Sequence, residues 1–131
     1  MDGRGNGEVS MSDYKFEMPY PPSVNSCWRV FNNRSILSKR GREYRAEAIK
    51  SMQSIGLDNE MLSGRLQVHL TLHPPTLRKY DIDNFCKATF DALSHAGFWE
   101  DDEQIDSLSI KKGEKIKGGK VIVCVSVLGD G

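Results

Sequence analysis

Asp81 and Asp83 flank Ile82 at the expected start of a helix, and Asp101 and Asp102 follow just beyond the expected end of that helix. Lys87 projects from the helix between the two pairs, and Arg78-Lys79-Tyr80 stands immediately upstream. Hard divalent cations such as Mg²⁺ bind through a few such carboxylates and leave positions open for water and phosphate oxygens. Carboxylates crowded together repel one another, and a bound cation is the usual relief. Acid set beside strongly basic neighbours suggests a metal that mediates contact with a polyanion, which is the pattern of a phosphodiester-cleaving site.

Each of these residues also has a plainer use. One of Asp81 and Asp83 is expected to serve as the N-cap, since a helix start favours negative charge and offers free N–H groups. Lys87 is four residues from both Asp83 and Asp91, so it either forms an intrahelical ion pair worth about 0.2–0.5 kcal/mol or offsets charge developing on a phosphate. Asp91 lies two turns along and reads as structural. Asn84 either hydrogen-bonds a ligand carboxylate or satisfies the first helical turn. Phe98-Trp99 would anchor the following loop, leaving one of Asp101 and Asp102 to point back at the helix start; spacing does not choose between them. Glu100 and Glu103 read as solvated. An EF-hand starting at Asp81 is excluded, because its sixth and twelfth positions are Cys86 and Ala92 rather than Gly and Glu. His69, His73 and His95 lack metal-ligand spacing, and no GxSxG, GxxxxGK[ST] or GxGxxG pattern occurs.

These residues must be carried by one domain, since the chain has 131 residues. A hydrophobic content of 38% and a charged content of 27% are ordinary for a soluble globular protein. No apolar run approaches the roughly 20 residues that span a bilayer, so no membrane partner is expected. Residues 1–12 are glycine-rich and polar and read as a disordered or tag-like extension, with the domain over 13–131. Three cysteines without CxxC spacing argue against disulfides or a zinc knuckle and for a reducing cytoplasm. The formal net charge is zero, but charge is sorted along the chain: Ser26–Lys50 carries +5, Asp81–Asp106 carries −7 and Ser107–Lys120 carries +4. A general nucleic-acid coat protein would show a basic excess instead. The basic flanks make Arg29, Arg40, Arg42, Arg45, Arg78, Lys79, Lys111 and Lys112 candidates for phosphate contact.

Tyr14–Tyr20 alternates as a short strand ending at Pro21-Pro22, and Trp28–Phe31 with Ser35–Leu37 suggests a hairpin around Asn32-Asn33. Ser38 is the expected N-cap of a helix from Lys39 to about Ser54, with Tyr44, Ala48, Met52 and Ile55 along one side and Gly56 at its end. Arg65–His73 alternates cleanly, placing Leu66, Val68, Leu70 and Leu72 on a buried face. A second helix is expected from about Ile82 to His95, burying Ile82, Cys86, Phe90 and Leu93, with Gly97 as its break. Ile105–Ile110 and Val121–Leu128 read as a β-hairpin joined by Lys112–Lys120, and the last strand, apolar on both faces, should be central. The order β-α-β-α-β-β implies a small two-layer α/β (α+β) domain with a mixed sheet and two main helices.

The segment Asp81-Ile82-Asp83-Asn84, with Lys87, Phe90-Asp91-Ala92-Leu93 and Ala96-Gly97-Phe98-Trp99-Glu100-Asp101-Asp102-Glu103-Gln104, resembles the RusA-type Holliday junction resolvases. Pro21-Pro22-Ser23-Val24-Asn25 is similar to that family's N-terminal PPSxN loop, and Lys117-Gly118-Gly119 to its C-terminal hairpin. The resemblance extends from about Tyr14 to Gly129. It implies a RusA-like fold and a homodimeric endonuclease of phages and prophages that needs Mg²⁺, with Mn²⁺ as a substitute. Such an enzyme nicks two opposing strands of four-way junction DNA in recombination and repair, in the cytoplasm of a bacterial host. By position it implies Asp81, Asp83 and Asp102 as metal ligands, Lys87 as the essential lysine and Asp101 as an accessory residue. One departure is Tyr80, where the family pattern carries a basic residue; Tyr80 is expected to stack on a base or sugar or to touch phosphate. The competing readings are a branched-DNA-binding protein whose acids hold a structural cation, and a scaffold with no nucleic-acid role.

Overall fold

The computed structural model describes residues 12–129; most of the expected N-terminal extension, residues 1–11, lies outside them. Four strands form one sheet: β1 (Tyr14–Met18), β4 (Arg65–His73), β5 (Ile105–Lys112) and β6 (Lys120–Gly129), in the order β1-β6-β4-β5. A separate hairpin pairs β2 (Trp28–Phe31) with β3 (Arg34–Leu37). The helices are the one-turn α1 (Val24–Cys27), α2 (Lys39–Ser54) and α3 (Lys87–His95), with 3-10 turns at Ile82–Phe85 and Asp102–Gln104. This is the expected mixed α+β architecture.

Alternation builds the core. Leu66, Val68, Leu70 and Leu72 of β4 stand opposite Val127, Val125, Val123 and Val121 of β6, and Phe16 and Met18 of β1 extend the same face. Tyr44, Ala48 and Met52 of α2 and Ala92 and Leu93 of α3 cover it, all of them buried. Ile55 does not join them: the helix ends there, and Ile55 is 47% exposed. Ser38 caps α2, its hydroxyl accepting from the Gly41 N–H at 3.1 Å. The two helices are fastened by the Tyr44 hydroxyl, which donates to the Pro19 carbonyl at 2.9 Å and lies 3.2 Å from the Thr89 hydroxyl. At Asn32 and Asn33 the φ angles are 53° and 63°, both positive. Asparagine tolerates that conformation, which is why Asn-Asn closes the β2–β3 hairpin.

Two expectations fail here. The last two strands do not pair with each other. β4 lies between them, parallel to β5 and antiparallel to β6. The intervening segment therefore crosses the end of β4, held by Gly113 N–H to the Leu72 carbonyl (2.7 Å) and Ile116 N–H to the Pro74 carbonyl (3.0 Å). β6 is central, as its two-sided apolar sequence required. The second helix is also not continuous: it breaks at Cys86 into the Ile82–Phe85 turn and α3. As a result Ile82 and Cys86 are only half-buried, whereas Phe90 and Leu93 are buried.

Candidate active site

Pro74-Pro75 ends β4, and the loop that follows delivers the chain into the Ile82–Phe85 turn. Ile82 packs inward against the core, which turns its two neighbours outward. Asp81 occupies the N-cap position, but its side chain makes no capping hydrogen bond. The turn is closed instead by the backbone, with the Asn84 N–H donating to the Asp81 carbonyl at 3.1 Å. Asp83 sits within the first turn. The capping role expected of one aspartate is thus not taken up, and both side chains are exposed. Asn84 contributes through its backbone, with its side chain exposed.

The break at Cys86 makes Lys87 the first residue of α3 rather than a mid-helix residue above Asp83. Its ammonium lies 4.8 Å from the centre of the Trp28 ring, not in an ion pair with Asp83. Asp91 is not its partner either. Asp91 accepts from Arg45 Nε at 3.0 Å, is within 3.0 Å of Arg45 Nη2, and stands 3.7 Å from His95. Asp91 is therefore structural, as expected, and Arg45 is engaged with it. Sequence spacing missed Trp28, since the hairpin reaches Lys87 only through tertiary packing.

Past α3, Gly97 (φ 75°, in the left-handed region) turns the chain, and the backbone of residues 59–62 runs beside it. There the Asn59, Met61 and Leu62 N–H groups donate to the Ala96, Gly97 and Phe98 carbonyls at 2.9, 2.7 and 2.9 Å. Phe98 and Trp99 are fully buried, Trp99 Nε1 donating to the Ser94 hydroxyl at 2.8 Å. This anchors the loop as its aromatic pair predicted. Asp101 then caps the Asp102–Gln104 turn, accepting from the Glu103 N–H at 3.1 Å. Gln104, buried, pins the whole loop: its Oε1 accepts from the Glu100 and Asp101 N–H groups at 2.9 Å, and its Nε2 donates to the Leu62 and Gly64 carbonyls at 3.0 Å. Its position in the S/T/D-x-x-E/Q capping pattern was the available signal.

Asp101 and Asp102 are consequently different. The Glu103 N–H, then the hydrogen bond from Asp102, hold the Asp101 carboxyl below its ordinary range. Burial, then the hydrogen bond and charge of Asp101, push the Asp102 carboxyl up, while Lys87 pulls it down. Lys87 thus lies near enough to Asp102 to be felt by it. Asp101 thus caps the turn, whereas no capping bond engages Asp102. Glu103 is not a bystander: with Asp106 it holds Arg65, at 3.2 and 2.7 Å.

The basic candidates divide. Arg40, Arg78 and Lys79 border a cleft of about 460 Å³ next to Asp81. Arg29, Arg42, Lys111 and Lys112 are exposed outside that cleft, Arg42 donating to the Leu37 carbonyl at 3.0 Å. Lys112 Nζ lies 4.6 Å from the centre of the Tyr80 ring, and Phe85 meets the same ring edge-on at 5.4 Å. Tyr80 thus lines the cleft together with Phe85, with Lys112 set against its ring.

Asp81, Asp83 and Asp102 offer only carboxylate oxygens, the donor set that hard cations select. Burial raises the Cys86 thiol beside Asp83. Among the described residues no three His, Cys, Asp or Glu side chains are gathered into a formed metal cage. The donors fit a hard cation by chemistry and by exposure, and binding one requires them to draw together.

Comparison with known proteins identifies the family. The profile of the family described as endodeoxyribonuclease RusA matches residues 19–126. The crossover junction endodeoxyribonuclease of Enterobacteria phage HK97 is 36% identical over 118 residues, 90% of this chain and 98% of its own length. Those of Escherichia coli O139:H28 and K12 are 35% and 33% identical over 120 residues, 92% of this chain and 99% of theirs. With the profile covering the site and these relatives covering the domain, the chain belongs to the RusA endodeoxyribonuclease family.

Proposed function

We propose that this protein is a Mg²⁺-dependent endodeoxyribonuclease that resolves four-way DNA junctions by paired nicks as a homodimer in a bacterial host's cytoplasm. The observation that carries the reading is the pair Asp81 and Asp83, exposed and uncapped at a turn start, with Lys87 just beyond them and Asp102 on the turn past α3. The names of the relatives as crossover junction endodeoxyribonucleases support it. Asp81, Asp83 and Asp102 would hold Mg²⁺, or Mn²⁺ in its place. When bound, such an ion activates water and stabilises charge on the phosphate. The chain's own cations do the rest: Lys87 offsets charge on the scissile phosphate, and Arg40, Arg78 and Lys79 grip neighbouring phosphates. A four-way junction has approximate two-fold symmetry and needs two nicks, so a chain with one acidic site supplies the second by dimerising. Affinity should fall steeply with salt, because phosphate contacts release counterions.

Replacing each aspartate in turn tests the reading. Asp81→Asn, Asp83→Asn and Asp102→Asn should each abolish Mg²⁺-dependent nicking of a labelled junction while leaving junction binding within a few-fold of wild type. Wild-type binding without nicking would support a non-cleaving branched-DNA binder instead.

A further inference from the structure

The cleft beside Asp81 has the make-up of a site for one nucleotide. It encloses about 460 Å³, inside the range of about 300–1,000 Å³ typical of small-ligand sites. Pro21-Pro22 and Pro74-Pro75 both contribute to its lining. These are rigid apolar surfaces whose shape costs no ordering on binding. Its aromatic side is Tyr20, Phe85 and Tyr80, with Phe85 5.7 Å from Tyr20 and 5.4 Å from Tyr80. Arg40, Arg78 and Lys79 line it from two separate segments of the chain. Finally, the Tyr80 hydroxyl is buried without a hydrogen-bond partner, a condition that costs about 1–3 kcal/mol and that a ligand's polar atom would relieve.

Cations, aromatic faces and an unmet hydroxyl together select a ligand with phosphate, a flat apolar ring and polar ring edges. A base within a duplex is stacked and paired, so its faces are covered and cannot meet the cleft's aromatic side chains. A base that has already lost a pairing or stacking partner is the cheapest to unstack, and the crossover is where a junction strand leaves its duplex. The geometry points to this cleft as the receptor for a single unstacked nucleotide of the branched strand, adjacent to the phosphate delivered to Asp81 and Asp83. This rests on the proposed action on junctions.

The test is a binding cycle between protein and DNA, read as affinity in Ca²⁺ without any cleavage. Wild type and Ser26→Trp, a plug at an exposed position on the cleft's border, are each titrated with a junction intact or abasic at the crossover nucleotide. Thermal melting checks that the variant folds, and Arg40→Gln serves as a second variant that fills no space. Losing the base should weaken wild type about tenfold, the size expected of one stacked base. Ser26→Trp should weaken binding similarly, and the two changes together should cost little more than either. Losses that multiply, or no effect of the abasic site, would overturn the cleft assignment. Nicking by wild type with multiplied losses sinks the cleft alone; a coupled cycle with no nicking in Mg²⁺ sinks the proposed activity alone.

Discussion

At the residue scale, the site is defined by which polar groups are already occupied. Asp91 is held by Arg45 and Asp101 by its own turn, whereas Asp81, the residue at the cap position, makes no capping bond. That division was partly legible in sequence. The pairing of Asp81 with Asp83 and the structural reading of Asp91 follow from spacing alone. The choice of Asp102 over Asp101 came only from family resemblance; the structure adds that Asp101 is the one whose side chain caps the turn. Trp28 was not legible, because its contact with Lys87 joins residues far apart in sequence. The Trp28 ring holds the ammonium where Asp102 senses it. Exposed cation–π contacts are worth about 0.5–1 kcal/mol, so Trp28→Leu should lower kcat for junction nicking by about two- to fivefold. KM should be unchanged and Trp28→Phe should recover most of the loss. A raised KM with unchanged kcat would mean that Trp28 touches DNA instead.

At the element scale, the strong local signals held. Ser38 caps α2, the alternation of β4 faces the core, and Asn32-Asn33 closes its hairpin. What failed was non-local. Nothing between residues 105 and 128 shows that β4 will slot between the last two strands, since a short turn-rich connection reads as a hairpin whichever partner the strands choose. The helix break at Cys86 was hidden too, as a 3-10 turn and an α-turn share nearly the same apolar spacing. The element that matters most for Asp102 is the Gln104 turn. Gln104→Ala would strand backbone groups at Leu62, Gly64, Glu100 and Asp101. It should destabilise the protein by about 2–4 kcal/mol in denaturant unfolding and depress nicking further by releasing Asp102. Loss of stability without loss of activity in the folded fraction would show that Asp102 needs no such support.

For the whole molecule, the sheet and the site are tied at one end by Arg65, which bridges Asp106 and Glu103 just beyond the Asp102 turn. The β4–β5 register skips Asp106, leaving it beside Arg65. The Arg65 guanidinium holds the Asp106 carboxyl below its ordinary range. A depressed folded-state pKa adds stability above the unfolded value of about 3.9, and that contribution is lost as pH falls through the lowered value. Melting temperatures of wild type and Arg65→Met should therefore differ by a constant amount near neutral pH and converge in acid. A gap that widens in acid would contradict this sign.

One acidic turn, its lysine and its basic cleft are proposed to cut branched DNA. The most direct measurement incubates the full chain with an end-labelled four-way junction and, separately, a linear duplex of the same sequence, each with Mg²⁺ and with EDTA. The account predicts symmetric nicks on two opposing junction strands in Mg²⁺ alone, with the duplex left intact. Equal cutting of duplex and junction, or a junction bound but uncut in both Mg²⁺ and Mn²⁺, would contradict it.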